Sequence, residues 1–378
     1  MQLFGSDRPM TPRRVLLDFG DVTTPLSGGK DVRDGISVAV RVGPNLFLAT
    51  DEGAGLMRMT VGQDRFREDG AFPLSEFLDL PGGADAEVDV EGMEFRDPYL
   101  WITGSHGVKR RKPDPDGNDP AKEIARLAKT VDEPNRYLLA RVPLSRDPAT
   151  GAYTPVRSCA DPADPERTLT AARVKGDGRR SQLMKSLADD PHLSPFMGLP
   201  GKDNGFDVEG LTVAGDRLFL GLRGPVLRGW AVVLEVEPAE TDDPSLLKLK
   251  KIGPDGRRYR KHFLDLGGLG IREISTDGPD LLLLAGPTLS LSGPTVLCRW
   301  KGGAAPVGES LVRGERLEKV MHVPHGDGVD HAEGITLFRV PGRDTAVLVV
   351  YDSPSDARKA PGGCVYADLF PLTGSSVG

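Results

Sequence analysis

Short apolar runs, broken by glycine, proline and aspartate, recur along the whole chain, and several of them resemble one another. "DVEGMEF" (89–95), "DVEGLTV" (207–213) and "HAEGITLF" (331–338) each set an acidic residue and a glycine ahead of an alternating apolar run. "KDVRDGISV" (30–38) fits with Asp34 at the acidic position, and laying "GIREIS" (270–275) on the pattern puts Arg272 there. The series Asp34, Glu91, Glu209, Arg272 and Glu333 is spaced by 57, 118, 63 and 61 residues, so one interval is close to two units. Each copy is followed by a second run ("NLFLATDE", "YLWITGSH", "RLFLGLRG", "DLLLLAGP", "AVLVVYDS"), and most by a third ("YLLARVPL", "WAVVLEVE", "TVLCRW", "GCVYADLF"). Runs of four to eight residues rich in Val, Leu and Phe and bounded by turn formers predict strands. A repeat of such strands near 60 residues predicts the blades of a β-propeller.

A fourth run precedes several copies: "VLLDFG" (15–20), "EFLDLP" (76–81) and "HFLDLG" (262–267). The first of these has no blade of its own, so it is expected to complete the last blade as its outer strand. Closing the ring through both chain ends removes the open sheet edges that invite aggregation. The expectation is an all-β, single-domain propeller over residues 1–378, with five blades favoured and six as the alternative. The long interval is then filled by polar, proline-flanked insertions at about 112–133 and 160–203, between the second and third copies. Helices are expected in them near 121–130 and 180–189.

Composition narrows the function. The net charge of −7 makes nucleic acid an unfavoured partner. No apolar run approaches the roughly 20 residues that cross a membrane, and "MQLFGSDRPMTPRR" lacks the apolar core of a secretory signal, so a cytoplasmic location is expected. Three scattered cysteines (Cys159, Cys298, Cys364) suit small packed groups better than a disulfide framework. "SGGK" (27–30) lacks the spacing and context of a phosphate loop.

The opening strands of a propeller line its channel, so the five repeated positions converge at one mouth, and the glycine after each acid suits close backbone approach. Several carboxylates there cannot all ionise without a counter-charge, and Arg272 supplies one. A divalent cation such as Ca²⁺, held by Glu91, Glu209, Glu333 and Asp51, could supply the rest. Loops after the second strands should bring His106, Arg223 and Asp352 to the same mouth. There His106 would be acid or base, Arg223 an anion clamp and Asp352 a further catalytic carboxylate, acting on a small anionic substrate. The plain alternative is structural: the acids hydrogen-bond backbone and lock blade to blade, around a ligand-binding or protein-interaction propeller. His331 is expected to pack locally, and Lys109–Lys112 to be a solvated basic run. Oligomeric state is not legible.

Across "DVRDGISVAV", "DVEGMEF", "FDVEGLTV", "GGLGIREI" and "HAEGITLF" the sequence resembles a bacterial family known as a domain of unknown function, over nearly the whole chain. The repeated Asp-x-Glu-Gly-Leu pattern is more distantly similar to the esterase-like phytase propellers. That likeness covers only the repeats; it is the carboxylates, His106 and Arg223 expected at the channel mouth that would suit metal-dependent hydrolysis of a phosphate or carboxylic ester.

Overall fold

The computed structural model describes residues 11–20, 31–114, 116–289, 292–339 and 345–372. The "SGGK" segment lies outside these residues. The chain is built from antiparallel runs of strands, each laid down in sequence from an opening strand outward. The first run is Ile36–Val42, Asn45–Thr50, Gly55–Val61 and Arg65–Pro73. The second is Val90–Arg96, Tyr99–Gly104, Leu139–Arg146 and the short Ala172–Val174. Asp207–Ala214, Arg217–Gly224, Trp230–Val236 and Arg260–Asp265 follow. Then come Gly270–Asp277, Asp280–Gly286, Thr295–Trp300 and Leu317–Val323. The last run is His331–Phe338, Ala346–Asp352 and Cys364–Pro371, and its outer strand is Arg13–Asp18 from the other end of the chain.

The opening strands are each other's neighbours. Val90–Arg96 lies between Ile36–Val42 and Asp207–Ala214, then Gly270–Asp277 and His331–Phe338 follow, and the series returns to Ile36–Val42. The architecture is propeller-like. Because each sheet is covered on both faces by its neighbours, second strands such as "DLLLLAG" are buried almost throughout rather than on alternate residues. The cores lie between consecutive sheets: Trp101, Leu139, Val208 and Leu220 fill one such layer, and Leu17, Leu48, Phe66 and Val350 another.

Two features depart from the sequence expectation. "EFLDLP" is not a strand: the chain turns through Leu74–Glu76 and inserts Leu74, Phe77 and Leu78 into the core. The outer strand there is instead Arg65–Pro73, a polar edge in which little beyond Phe66 is buried. The stretch 160–203 is not wholly an excursion either. Ser158–Asp161 and Asp164–Thr170 pair as a hairpin, and Ala172–Val174 pairs with Leu139–Arg146 on one side and Leu246–Leu249 on the other. Helices form at Pro120–Leu127, capped by Asp119, and at Gln182–Leu187, capped by Ser181.

Every opening strand carries a register shift against its partner, leaving one residue unpaired. Those residues are Ser37, Glu91, Glu209, Arg272 and Glu333. Such bulges re-aim a side chain and sharpen strand twist. The residue after three of them is glycine for a steric reason. A Cβ on Gly92 would lie 2.7 Å from Leu211 N, on Gly210 2.8 Å from Ile274 N, and on Gly334 3.0 Å from Val38 Cα. In each case the obstacle is backbone of the next opening strand, which cannot swing aside. Gly210→Ala should therefore cost roughly 1–3 kcal/mol by overpacking. A thermal melt of that variant indistinguishable from the parent's would disprove the close approach.

Candidate functional site

The bulged positions gather at one end of the series of opening strands, and four of the five expected ring residues are among them. Asp34 is not. It ends the short turn Val32–Asp34 ahead of the strand, where its carboxylate pairs with Lys359 Nζ at 2.9 Å. The equivalent position is Ser37, whose hydroxyl donates to Val90 O at 2.7 Å and so ties the first opening strand to the second. The sequence alignment put Asp34–Gly35 on the acid–glycine pair, three residues out of register.

Three of the other four, Glu209, Arg272 and Glu333, join with Arg223 in an alternating row of acidic and basic groups. Arg272 donates from Nη1 to Glu333 Oε1 at 2.8 Å and to Glu209 Oε2 at 3.1 Å, and from Nη2 to Pro287 O at 3.0 Å. Arg223, as expected, reaches the same place: its Nη1 donates to Glu209 Oε1 at 2.6 Å and its Nε to Thr288 O at 2.9 Å. Burial alone would raise the Glu209 pKa, but Arg223 and Arg272 outweigh it and hold the carboxyl below its usual range. Among the described residues Glu333 pairs with Arg272 alone. Burial and the nearby Asp352 dominate there, and its pKa is pushed up to about 8.

Glu91 differs from both. It is partly buried and makes no hydrogen bond or ion pair among the described residues. Burial, then the charges of Asp89, Glu209, Glu333 and Asp207, raise its pKa well above the ordinary value. The fields of Glu209 and Glu333 on Glu91 place all three carboxyls on one mouth. The raised pKa favours the protonated form of Glu91, which has no hydrogen-bond acceptor among the described residues.

Beside it lies a cluster that the sequence reading passed over. Asp89 and Asp207 are the first letters of the two "DVEG" copies, and they stand at the ring's edge. Burial and Glu209 raise Asp207 to about 7 against the opposing pull of Arg223. Arg136 meets Asp89 Oδ2 at 2.5 Å and Glu87 Oε1 at 2.9 Å, and its Nε donates to Gly107 O at 3.0 Å. The signal was in the motif itself, since the aspartate recurs two residues before the glutamate in both copies.

The remaining expected residues divide. Asp352 and Asp51 both act on Glu333 through their charge, so they belong to the mouth. His331 stands opposite Asp352 in the strand register. His106 is buried, its Nδ1 lies 3.0 Å from Gly104 O, and burial lowers its pKa to about 4, which favours the neutral ring. A neutral ring that donates Nδ1–H to that carbonyl leaves Nε2 unprotonated. The basic run after it is also engaged, Lys109 with Glu87 and Glu133, and Arg110 with Asp203. Cys298 and Cys364 are buried, Cys159 is partly so, and all three are free thiols. Among the described residues no three His, Cys, Asp or Glu side chains converge in a metal-ligating arrangement, and no helix is long and apolar enough to cross a membrane.

No curated protein matches the chain in sequence. Among solved structures it is similar to the PQQ-bound aldose sugar dehydrogenase of Streptomyces coelicolor, at 12% identity and a TM-score of 0.36, covering 96% of this chain and 99% of that one. It is likewise similar to a streptogramin B lyase (8% identity, TM-score 0.33, 95% and 98% covered). A third is the endosialidase of phage phi92 (8% identity, TM-score 0.36, 96% and 70% covered). Likeness at this distance says nothing of chemistry. A family model does match, over residues 35–368, and the chain belongs to that family, DUF3616, proteins of unknown function.

Proposed function

We propose that the protein is a single-domain, five-bladed propeller, with residues 112–133 and 160–203 as insertions, that hydrolyses an ester of a small anionic molecule at its acidic mouth in the cytoplasm. The observation that carries this reading is Glu91: a carboxyl whose pKa burial and neighbouring acids raise, with no hydrogen-bond or ion-pair partner among the described residues. A perturbed carboxyl of this kind at a channel mouth is a candidate general acid. Glu91 would give its proton to the leaving oxygen, while the Asp352 carboxylate accepts one from the attacking water. Arg223 and Arg272 supply the positive field in which an anionic substrate settles.

A divalent cation at this mouth would need Glu91 deprotonated and drawn together with Asp51 and the unbridged oxygen of Glu333, so it would replace the Glu91 proton rather than act beside it. Glu209, with both oxygens on guanidinium groups, would not join them. The rival reading is a non-catalytic binding propeller. It draws on the Glu209–Arg272–Glu333 bridge, which joins three successive opening strands and has a structural use without any substrate.

Assay against carboxylic esters and phosphate monoesters, with and without Ca²⁺ or Mn²⁺, tests the proposal. Glu91→Gln keeps the shape of the side chain and should lower turnover on the order of 100-fold or more, with little change in melting temperature. The parent's rate should fall as pH rises and Glu91 loses its proton. No turnover of any such ester, or a Glu91→Gln protein as active as the parent, would leave the binding-propeller reading in its place. Metal-induced stabilisation of the parent that Glu91→Gln abolishes would assign the cation to this mouth.

A further inference from the structure

The other end of the opening strands holds a second cavity, of about 390 Å³, with a different character. All of the opening strands or the residues just beyond them contribute to its wall, so it is the far mouth of the same channel. Where the first mouth is acidic, this one presents Arg41, Arg96 and Arg339 among the hydroxyls of Thr276 and Thr336, with one carboxyl, Glu94. That is an unusual concentration of positive charge in a chain of net charge −7.

The three arginines are not equivalent. Arg339 donates to Asp277 Oδ1 at 2.6 Å and is compensated. Arg96 makes no hydrogen bond or ion pair among the described residues, and Arg41 makes none with a carboxylate. Arg41 is nevertheless fixed. Its guanidinium lies over the Phe338 ring, 4.6 Å from the centroid, and its Nε donates to Gly43 O. That leaves the Nη1 and Nη2 groups of a partly buried guanidinium without an acceptor among the described residues. Burial of this kind disfavours the charge, and a cation held so is completed by an anion that takes both amines at once. Glu94 does not fill that role. Its Oε2 accepts from Thr212 Oγ1 at 2.8 Å and its Oε1 from Phe95 N at 3.0 Å, and burial lifts its pKa to about 7. It is half protonated at neutral pH, and able to donate to a ligand oxygen as well as accept.

We propose that this far mouth is a second ligand site, which binds the phosphate or carboxylate group of a small molecule between Arg41 and Arg96. The oriented Arg41 fork sets the geometry. The exposed Arg96 closes over the ligand, and the Thr276 and Thr336 side chains border the space it enters. The site is separate from the acidic mouth and does not depend on what Glu91 does.

Calorimetric titration of the full chain with inorganic phosphate and, in parallel, with succinate tests the assignment, against chloride at matched ionic strength. Saturable binding of either anion, absent with chloride, is the expected result, and the tighter of the two identifies the preferred oxyanion. Arg96→Gln, on an exposed side chain that the fold does not need, should weaken binding roughly tenfold or more. Arg41→Gln should do the same, and Glu91→Gln should leave binding unchanged. No saturable binding of either anion would overturn the proposal. So would binding that survives Arg96→Gln and Arg41→Gln but is altered by Glu91→Gln, since the anion would then sit at the acidic mouth.

Discussion

Removal of residues 1–20 should leave a chain that does not fold to a stable monomer. The strand Arg13–Asp18 pairs with Cys364–Pro371 along its whole length, and three of its residues also lie alongside Arg65–Arg67. Val15, Leu17 and Phe19 are buried in the layer between the first and last sheets. Losing three such side chains forfeits roughly 5–9 kcal/mol of burial, against a total stability of about 5–15 kcal/mol for a typical protein. The deletion would also bare the polar groups of Cys364–Pro371, making a strand edge open to pairing with another molecule. The check is size-exclusion chromatography with a thermal melt. A truncated protein that elutes as the parent does and melts within a few degrees of it would show that the chain ends do not hold each other. Leu17→Asp asks the same question with the backbone intact: it buries a charge in that layer and should be nearly as damaging.

How much of this was legible in the sequence depended on whether burial or contact geometry decided the outcome. Second and third strands such as Asp280–Gly286 and Trp230–Val236 are buried almost throughout, so their apolar runs announced them. Arg65–Pro73 lies at a polar edge and gave no such run, and "EFLDLP" borrowed the look of "HFLDLG" while burying its residues from a turn. Ala172–Val174 is too short for any alternation to be read. At the mouth, the acid–glycine pairs were visible because the glycine is needed wherever the next backbone comes within 3 Å. Ser37 was hidden for the converse reason. Val38 follows it where the other copies have glycine or Glu273, so neither half of the pattern is present, and the nearby Asp34–Gly35 offered a false match. Partnerships were the least legible feature. Nothing in the sequence distinguishes Glu209, embraced by two guanidinium groups, from Glu91, which has none, although both occupy the same letter of the same motif.

That contrast gives Arg272 its importance, and Arg272→Met should be the most damaging single change at the ring. Arg272 is buried, on the fourth opening strand, and holds carboxylates from the strands on either side of it. Methionine keeps much of the side-chain volume and removes the charge, leaving Glu209 with Arg223 alone and Glu333 with no cation in contact. Breaking a buried pair by removing one partner costs about 3–5 kcal/mol, since the surviving charge stays desolvated. The pH dependence identifies the cause. Burial works to raise the Glu209 pKa, and Arg223 and Arg272 together pull it below its unfolded value, so its pairing contributes stability above that value, near 4.3. The contribution is lost as pH falls through the folded pKa. Urea unfolding of parent and variant should therefore differ widely at pH 7 and less at pH 3, the gap narrowing as pH falls and Glu209 takes up its proton. A gap of the same size at both pH values would mean that Arg272 acts through packing alone, and the alternating chain of charge at the mouth would not be what holds the opening strands together.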